Sequence, residues 1–194
     1  MSSVVFEGED KRAEPSVSLA TALRSRVTAL RPAHWLKNLL IFAPLIAAHK
    51  FHDFALLQKT VLAFVAFGLC ASAGYLFNDL IDLESDRHHP QKRLRPFASG
   101  CLPLSYGLIA IPVLVISGGL LAASVSPLLC ATLLGYFILS TAYSLKIKNV
   151  ALLDVLFLAA LYTVRIMAGS VATGIWVSHW LLAFSIFFFF SLVQ

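Results

Sequence analysis

Cysteine is scarce in this 194-residue chain, and the few present form no ligand set. Cys70, Cys101 and Cys130 are too widely spaced for a zinc site, and two of them fall in apolar stretches, so reduced thiols with no catalytic role are expected. Charge is scarce too, at 13% of residues against 59% hydrophobic. A mean hydropathy of +0.82 lies far outside the balance of a soluble domain. Neither an internal repeat nor a linker divides the chain, and no basic start, apolar stretch and cleavage site marks a secretory signal. Residues 1–18 are polar and mixed in charge, which predicts a disordered cytoplasmic tail ahead of a single transmembrane domain over 19–194.

What the chain has in quantity is apolar runs. Six segments are long enough to be read as spans of about 30 Å of hydrocarbon: roughly 33–48, 60–80, 104–123, 127–144, 151–172 and 176–194. Lipid offers the backbone no hydrogen bonds, so these must be helices, and the fold class predicted is an all-α integral membrane helix bundle. The basic residues alternate by side. Lys11, Arg12, Arg24, Arg26, Arg31 and Lys37 precede or open the first span; Arg87, Lys92, Arg93 and Arg95 follow the second; Lys146 and Lys148 follow the fourth. The other connections hold only Lys50 and Lys59. The positive-inside rule then puts the N-terminus and the loops after the second and fourth spans in the cytoplasm. This topology accounts for the net charge of +5 and leaves no reason to infer nucleic-acid binding.

Acidic residues number only ten, yet Asp79, Asp82, Glu84 and Asp86 crowd together at the end of the second span, beside Asn78. On a continuous helix Asp79, Asp82 and Asp86 fall within about 60° of one another, and three like charges so placed repel unless a cation sits among them. Hard carboxylate oxygens without thiolate or paired imidazole suit Mg²⁺, which takes its remaining ligands from water and a substrate phosphate. The three aspartates are therefore the candidate catalytic and metal-binding residues. Lys92, Arg93 and Arg95 are candidate phosphate ligands. His89-Pro90 is expected to shape the turn. Asp154 and Arg165 are costly inside a span and are expected to face a protein cavity. Eleven residues apart, they lie about 16 Å from one another along a helix, too far for an ion pair. Tyr143 and Lys148 belong to the same membrane face as the aspartates, with Lys148 a candidate phosphate ligand.

The run Asn78-Asp79-x-x-Asp82-x-x-x-Asp86 resembles the first signature of the UbiA superfamily of intramembrane prenyltransferases. His89-Pro90-x-Lys92-x-x-Arg95-Pro96, the earlier Arg31-Pro32-x-x-Trp35-x-Lys37-Asn38 and the later Tyr143-Ser144, Lys148, Asp154, Arg165 and Ala168-Gly169 look like the branch containing decaprenyl-phosphate phosphoribosyltransferase. The resemblance implies a nine-helix bundle, of which this chain would be a truncated form continuing past Gln194, in a bacterial plasma membrane. It also implies Mg²⁺ as cofactor, polyprenyl phosphate or diphosphate as lipid substrate, and substrate contacts from Asn78, Lys92, Arg93, Arg95, Tyr143, Lys148, Asp154 and Arg165. Three activities stay open: phosphoribosyl transfer from phosphoribosyl diphosphate to polyprenyl phosphate, prenyl transfer to an aromatic acceptor, and a non-catalytic carrier or lipid-binding role.

Overall fold

The computed structural model describes residues 19–145, 151–178 and 182–183. Among the described residues the α-helices run in the order α1 (Leu19–Leu30), α2 (Ala43–Ala47), α3 (Phe54–Ile81), α4 (Leu83–His88), α5 (Leu104–Val125), α6 (Pro127–Leu145) and α7 (Ala151–Thr173). Four of them, α3, α5, α6 and α7, have helical stretches long and apolar enough to cross a membrane. The protein is an all-helical, multi-pass membrane protein, as the apolar runs imply. The predicted tail 1–18, Lys146, Lys148 and most of the predicted sixth span lie outside the described residues.

The first predicted span takes a different form. In place of one α-helix over 33–48, Pro32–Phe42 wind as a 3-10 helix that continues into α2. A 3-10 helix rises about 2.0 Å per residue, so these two segments laid end to end reach about 30 Å with fewer residues than an α-helix needs. The composite packs against α3 and α7. Gly169 makes that approach possible, because a Cβ there would collide with the carbonyl oxygen of Ile41. Gly169→Ala is expected to force the 3-10 segment away from α7 and lower stability by about 1–3 kcal/mol, read as a drop in melting temperature in micelles.

Local signals in the sequence account for several helix ends. Asp53 caps α3, its Oδ1 accepting from the amides of Ala55 (3.0 Å) and Leu56 (3.2 Å). Ser126 caps α6 through Leu129 N–H (3.0 Å), with Pro127 at the first helical position. Gly174, at φ 70°, ends α7.

The long helix α3 is the axis of the bundle, packed by α1, α5, α6, α7 and the 3-10 segment. Ala63, Ala66, Cys70 and Ala73 keep it slim, and Ala63, Ala66, Phe67 and Cys70 form one cluster with Leu129, Leu133 and Tyr136 of α6 and Leu161, Ala168 and Ala172 of α7. Small residues at such contacts let helices approach where lipid supplies no hydrophobic drive. Leu108, Ile109, Ile116, Leu120, Leu128 and Ile138 point outward from α5 and α6, a surface suited to lipid. A second apolar cluster of Ala29, Leu76, Phe97 and Leu102 clamps the end of α1 and the loop after α4 onto α3. It fixes the surroundings of Asp79.

Candidate active site

At 28 residues α3 is about 42 Å long, more than the hydrocarbon requires, so its polar C-terminal turn can stand at or beyond the membrane edge. The helix does not run through all three aspartates. It ends at Ile81, and Asp82, half-buried, occupies the turn before α4. Backbone bonds from Asp82 N to Asn78 O (2.9 Å) and from Asp86 N to Asp82 O (2.8 Å) carry the helical path across the break. The three aspartates are therefore spread over the end of α3, the junction and α4 rather than along one uninterrupted helix.

Asp79 and Asp86, each 2% exposed, converge on one guanidinium: Arg95 Nη1 lies 2.6 Å from Asp86 Oδ2 and 3.4 Å from Asp79 Oδ1. Arg31 Nη2 donates to the same Asp79 oxygen at 2.6 Å. The cation expected among the carboxylates is thus present as protein side chains. Arg95, expected as a phosphate ligand, is held by the aspartates here, and the part of Arg31 was not evident from its position 48 residues before Asp79. Arg31 adopts a left-handed backbone, φ 49° and ψ 56°, which is uncommon for a residue with a side chain and aims the chain from α1 into the 3-10 segment. Ser72 secures that corner, donating to Leu30 O (2.7 Å) and accepting from Trp35 Nε1 (3.0 Å).

The loop that returns Arg95 is shaped as His89-Pro90 suggested. His89 Nδ1 lies 3.2 Å from Gln91 N and 3.3 Å from Lys92 N, closing the turn that leaves Lys92 and Arg93 exposed to solvent. A cavity of about 420 Å³ opens here, lined by Thr28, Arg31, His34, Asp79, Gln91, Leu94, Arg95 and Pro96.

Among the described residues no three His, Cys, Asp or Glu side chains meet around a common metal position. Asp79 Oδ2 and Asp86 Oδ1 are nonetheless buried without a hydrogen-bond partner. Such orphaned atoms are costly to leave unpaired, and hard carboxylate oxygens are what Mg²⁺ takes. The residues fit the ion.

Asn78 turns the other way, donating to Ser144 Oγ of α6 at 2.9 Å. Asp82, one turn on, is its neighbour along the helix. Ser144 borders a smaller cavity of about 90 Å³ between α3, α6, α7 and the 3-10 segment. Tyr143 and Arg165 also line it; the Tyr143 hydroxyl donates to Asp154 Oδ1 at 2.5 Å. Arg165 is buried, donating to Asn38 Oδ1 (2.9 Å), Leu161 O (2.7 Å) and Tyr136 Oη (2.8 Å). As the spacing requires, Asp154 and Arg165 serve different partners. Arg165 joins α7 to α6 and to the 3-10 segment.

The sequence matches the UbiA prenyltransferase family over residues 39–194. The chain belongs to that family. Curated relatives include nodulation protein NoeC of Azorhizobium caulinodans, 44% identical over 86% of this chain and 54% of that protein. Decaprenyl-phosphate phosphoribosyltransferase of Corynebacterium glutamicum is 37% identical over 92% of this chain and 54% of that enzyme. This UbiA-family chain spans about half the length of these relatives or less, down to 32% of an uncharacterized Sinorhizobium fredii protein. Its fold is that of a UbiA homolog from Archaeoglobus fulgidus bound to DMAPP and Mg²⁺, with TM-score 0.72 and 22% identity over 89% of this chain and 61% of that one.

Proposed function

We propose that this UbiA-family protein acts in a Mg²⁺-dependent transfer of a phosphoribosyl group from phosphoribosyl diphosphate to a polyprenyl phosphate. The observation that carries the reading is the pairing of two buried, half-satisfied carboxylates with two guanidiniums at the edge of one open cavity. That combination suits a metal-bound diphosphate: carboxylates for the ion, arginines for phosphate oxygens. The 35–38% identity to decaprenyl-phosphate phosphoribosyltransferases supports a phosphoribosyl donor over a prenyl one.

Asp79, Asp82 and Asp86 would hold Mg²⁺, which supplies Lewis-acid neutralisation of the departing diphosphate. Arg31 and Arg95 stand where they can grip the same oxygens, and Lys92 and Arg93 supply positive charge at the entrance. The bond from ribose C1 to diphosphate breaks with its electron pair leaving on the diphosphate, and an oxygen of the acceptor phosphate forms the new bond to C1. Inorganic pyrophosphate is the second product. The lipid acceptor needs only its phosphate at the cavity while its apolar tail stays in the bilayer. Tyr143 and Arg165 line the adjoining cavity, and Asn78, Tyr143, Lys148, Asp154 and Arg165 are assigned to substrate contact. The basic loops orient the N-terminus and this site toward the cytoplasm, in a bacterial plasma membrane.

The test uses membranes carrying the product of the complete gene. Offered labelled phosphoribosyl diphosphate and polyprenyl phosphate, they are expected to form lipid-linked label that vanishes with chelator. Label transferred only from a prenyl diphosphate to an aromatic acid would assign the aromatic prenyltransferase reaction instead.

A further inference from the structure

The smaller cavity carries positive charge that the aspartate site does not use. Lys37, from the 3-10 segment, places Nζ 5.8 Å from the ring centroid of Tyr162, and Arg165 places Cζ 5.5 Å from the same centroid. Both side chains line the cavity. Among the described residues neither is ion-paired to a carboxylate, since the three ion pairs all belong to Asp79 and Asp86. Asp154 takes the Tyr143 hydroxyl rather than either cation. Arg165 is a buried intramembrane charge, which is normally turned toward a ligand or a compensating partner, and the nearby Lys37 adds a second positive charge at the mouth of the same cavity.

The walls suit one kind of anion. Ser140, Tyr143 and Ser144 add hydroxyls beside the two cations, and about 90 Å³ holds a few waters, the scale of a phosphoryl group rather than of a prenyl chain. Tyr75 separates this cavity from the aspartate site. Its ring lines the small cavity, while Arg31 (Cζ at 5.0 Å) and His34 (ring at 5.0 Å), both of the larger cavity, stand against it. Tyr75 thus borders the small cavity and is also in contact with two residues of the larger one.

We propose that the Lys37–Arg165 cavity is a second anion site that takes a phosphate monoester, with Lys37 as its direct ligand and Arg165 as a fixed background charge. The inference rests on the proposed function in assigning the diphosphate to the aspartate side. A monoester could come from the 5-phosphate of the donor or from the head group of the polyprenyl phosphate. The chemistry is shared, so the experiment has an arm for each.

Binding of ribose 5-phosphate, farnesyl phosphate and Mg²⁺-pyrophosphate is measured on the full chain in nanodiscs, for wild type, Lys37→Met and Lys37→Arg. Lys37 is exposed, so its replacement leaves the fold intact. Loss of a charge-assisted bond predicts that one monoester binds Lys37→Met about tenfold or more weakly and recovers in Lys37→Arg, while pyrophosphate changes less than about twofold. The monoester affected identifies the source. The proposal is overturned if wild type binds neither monoester, if both bind Lys37→Met as they bind wild type, or if pyrophosphate weakens in parallel. Failure of the underlying reading is a separate result: Mg²⁺-pyrophosphate binding that ignores Asp82→Asn would remove the diphosphate assignment and leave the Lys37 outcome standing.

Discussion

Asp82→Asn is expected to lower lipid-linked product at least about a hundredfold, the usual cost of removing one preorganised electrostatic group from a transfer reaction. Asp82 is half-buried at the turn between α3 and α4, and its amide would keep the same shape on the same backbone path. Asp79→Asn is expected to differ in kind. It leaves Arg31 without its carboxylate and Arg95 with only Asp86, and losing these part-buried charged hydrogen bonds costs about 1.5–3 kcal/mol. Its activity and melting temperature should therefore fall together. Thermal melts beside transfer assays on both variants separate a residue needed for chemistry from one needed also for the architecture.

The second large effect concerns Arg95. Its guanidinium neutralises two carboxylates that are each 2% exposed, and it holds one oxygen of each while the other oxygens stay unpartnered. Arg95→Ala removes that compensation. Without divalent cation the variant should be less stable by about 3–5 kcal/mol. Excess Mg²⁺ should restore much of the loss, since an ion at 100 times its dissociation constant contributes about 2.7 kcal/mol. Mg²⁺ should raise the melting temperature of wild type far less, because Arg95 already occupies the carboxylates. Transfer should also fall, by about ten- to a hundredfold, for want of the phosphate contact. A melting temperature equally indifferent to Mg²⁺ in both proteins would mean that Arg95 and the ion do not share the same oxygens.

Much of this site could be read along the chain. Carboxylates are rare enough in an apolar sequence that Asp79, Asp82 and Asp86 announce themselves, and the charge of Arg165 inside a span required a protein partner. What could not be read is which side of α3 each group faces. Asn78 and Asp79 are consecutive, yet Asn78 bonds to α6 and Asp79 to Arg31, because adjacent helical positions diverge by about 100°. The helix break at Asp82 left no clear mark, with neither proline nor glycine at the junction. Nor does local sequence show that Arg165 would find Asn38, 127 residues away, or that Pro32–Phe42 would wind as a 3-10 helix. Hydropathy reports how much apolar length exists, not the rise per residue with which it is used. The 3-10 winding matters to the site because it carries Lys37 and Asn38 against α7 and follows directly from the left-handed Arg31.

The most direct test of the aspartate cluster as a metal-diphosphate site is Mn²⁺ binding, followed by electron paramagnetic resonance with and without pyrophosphate, in wild type and in Asp82→Asn and Asp86→Asn. Mn²⁺ alone is expected to bind weakly, while Arg95 holds Asp79 and Asp86. Binding should tighten by about tenfold or more when pyrophosphate draws the guanidinium away, and this gain should be lost in both variants. Mn²⁺ binding that is the same with and without pyrophosphate, or unchanged by the loss of either carboxylate, would contradict it.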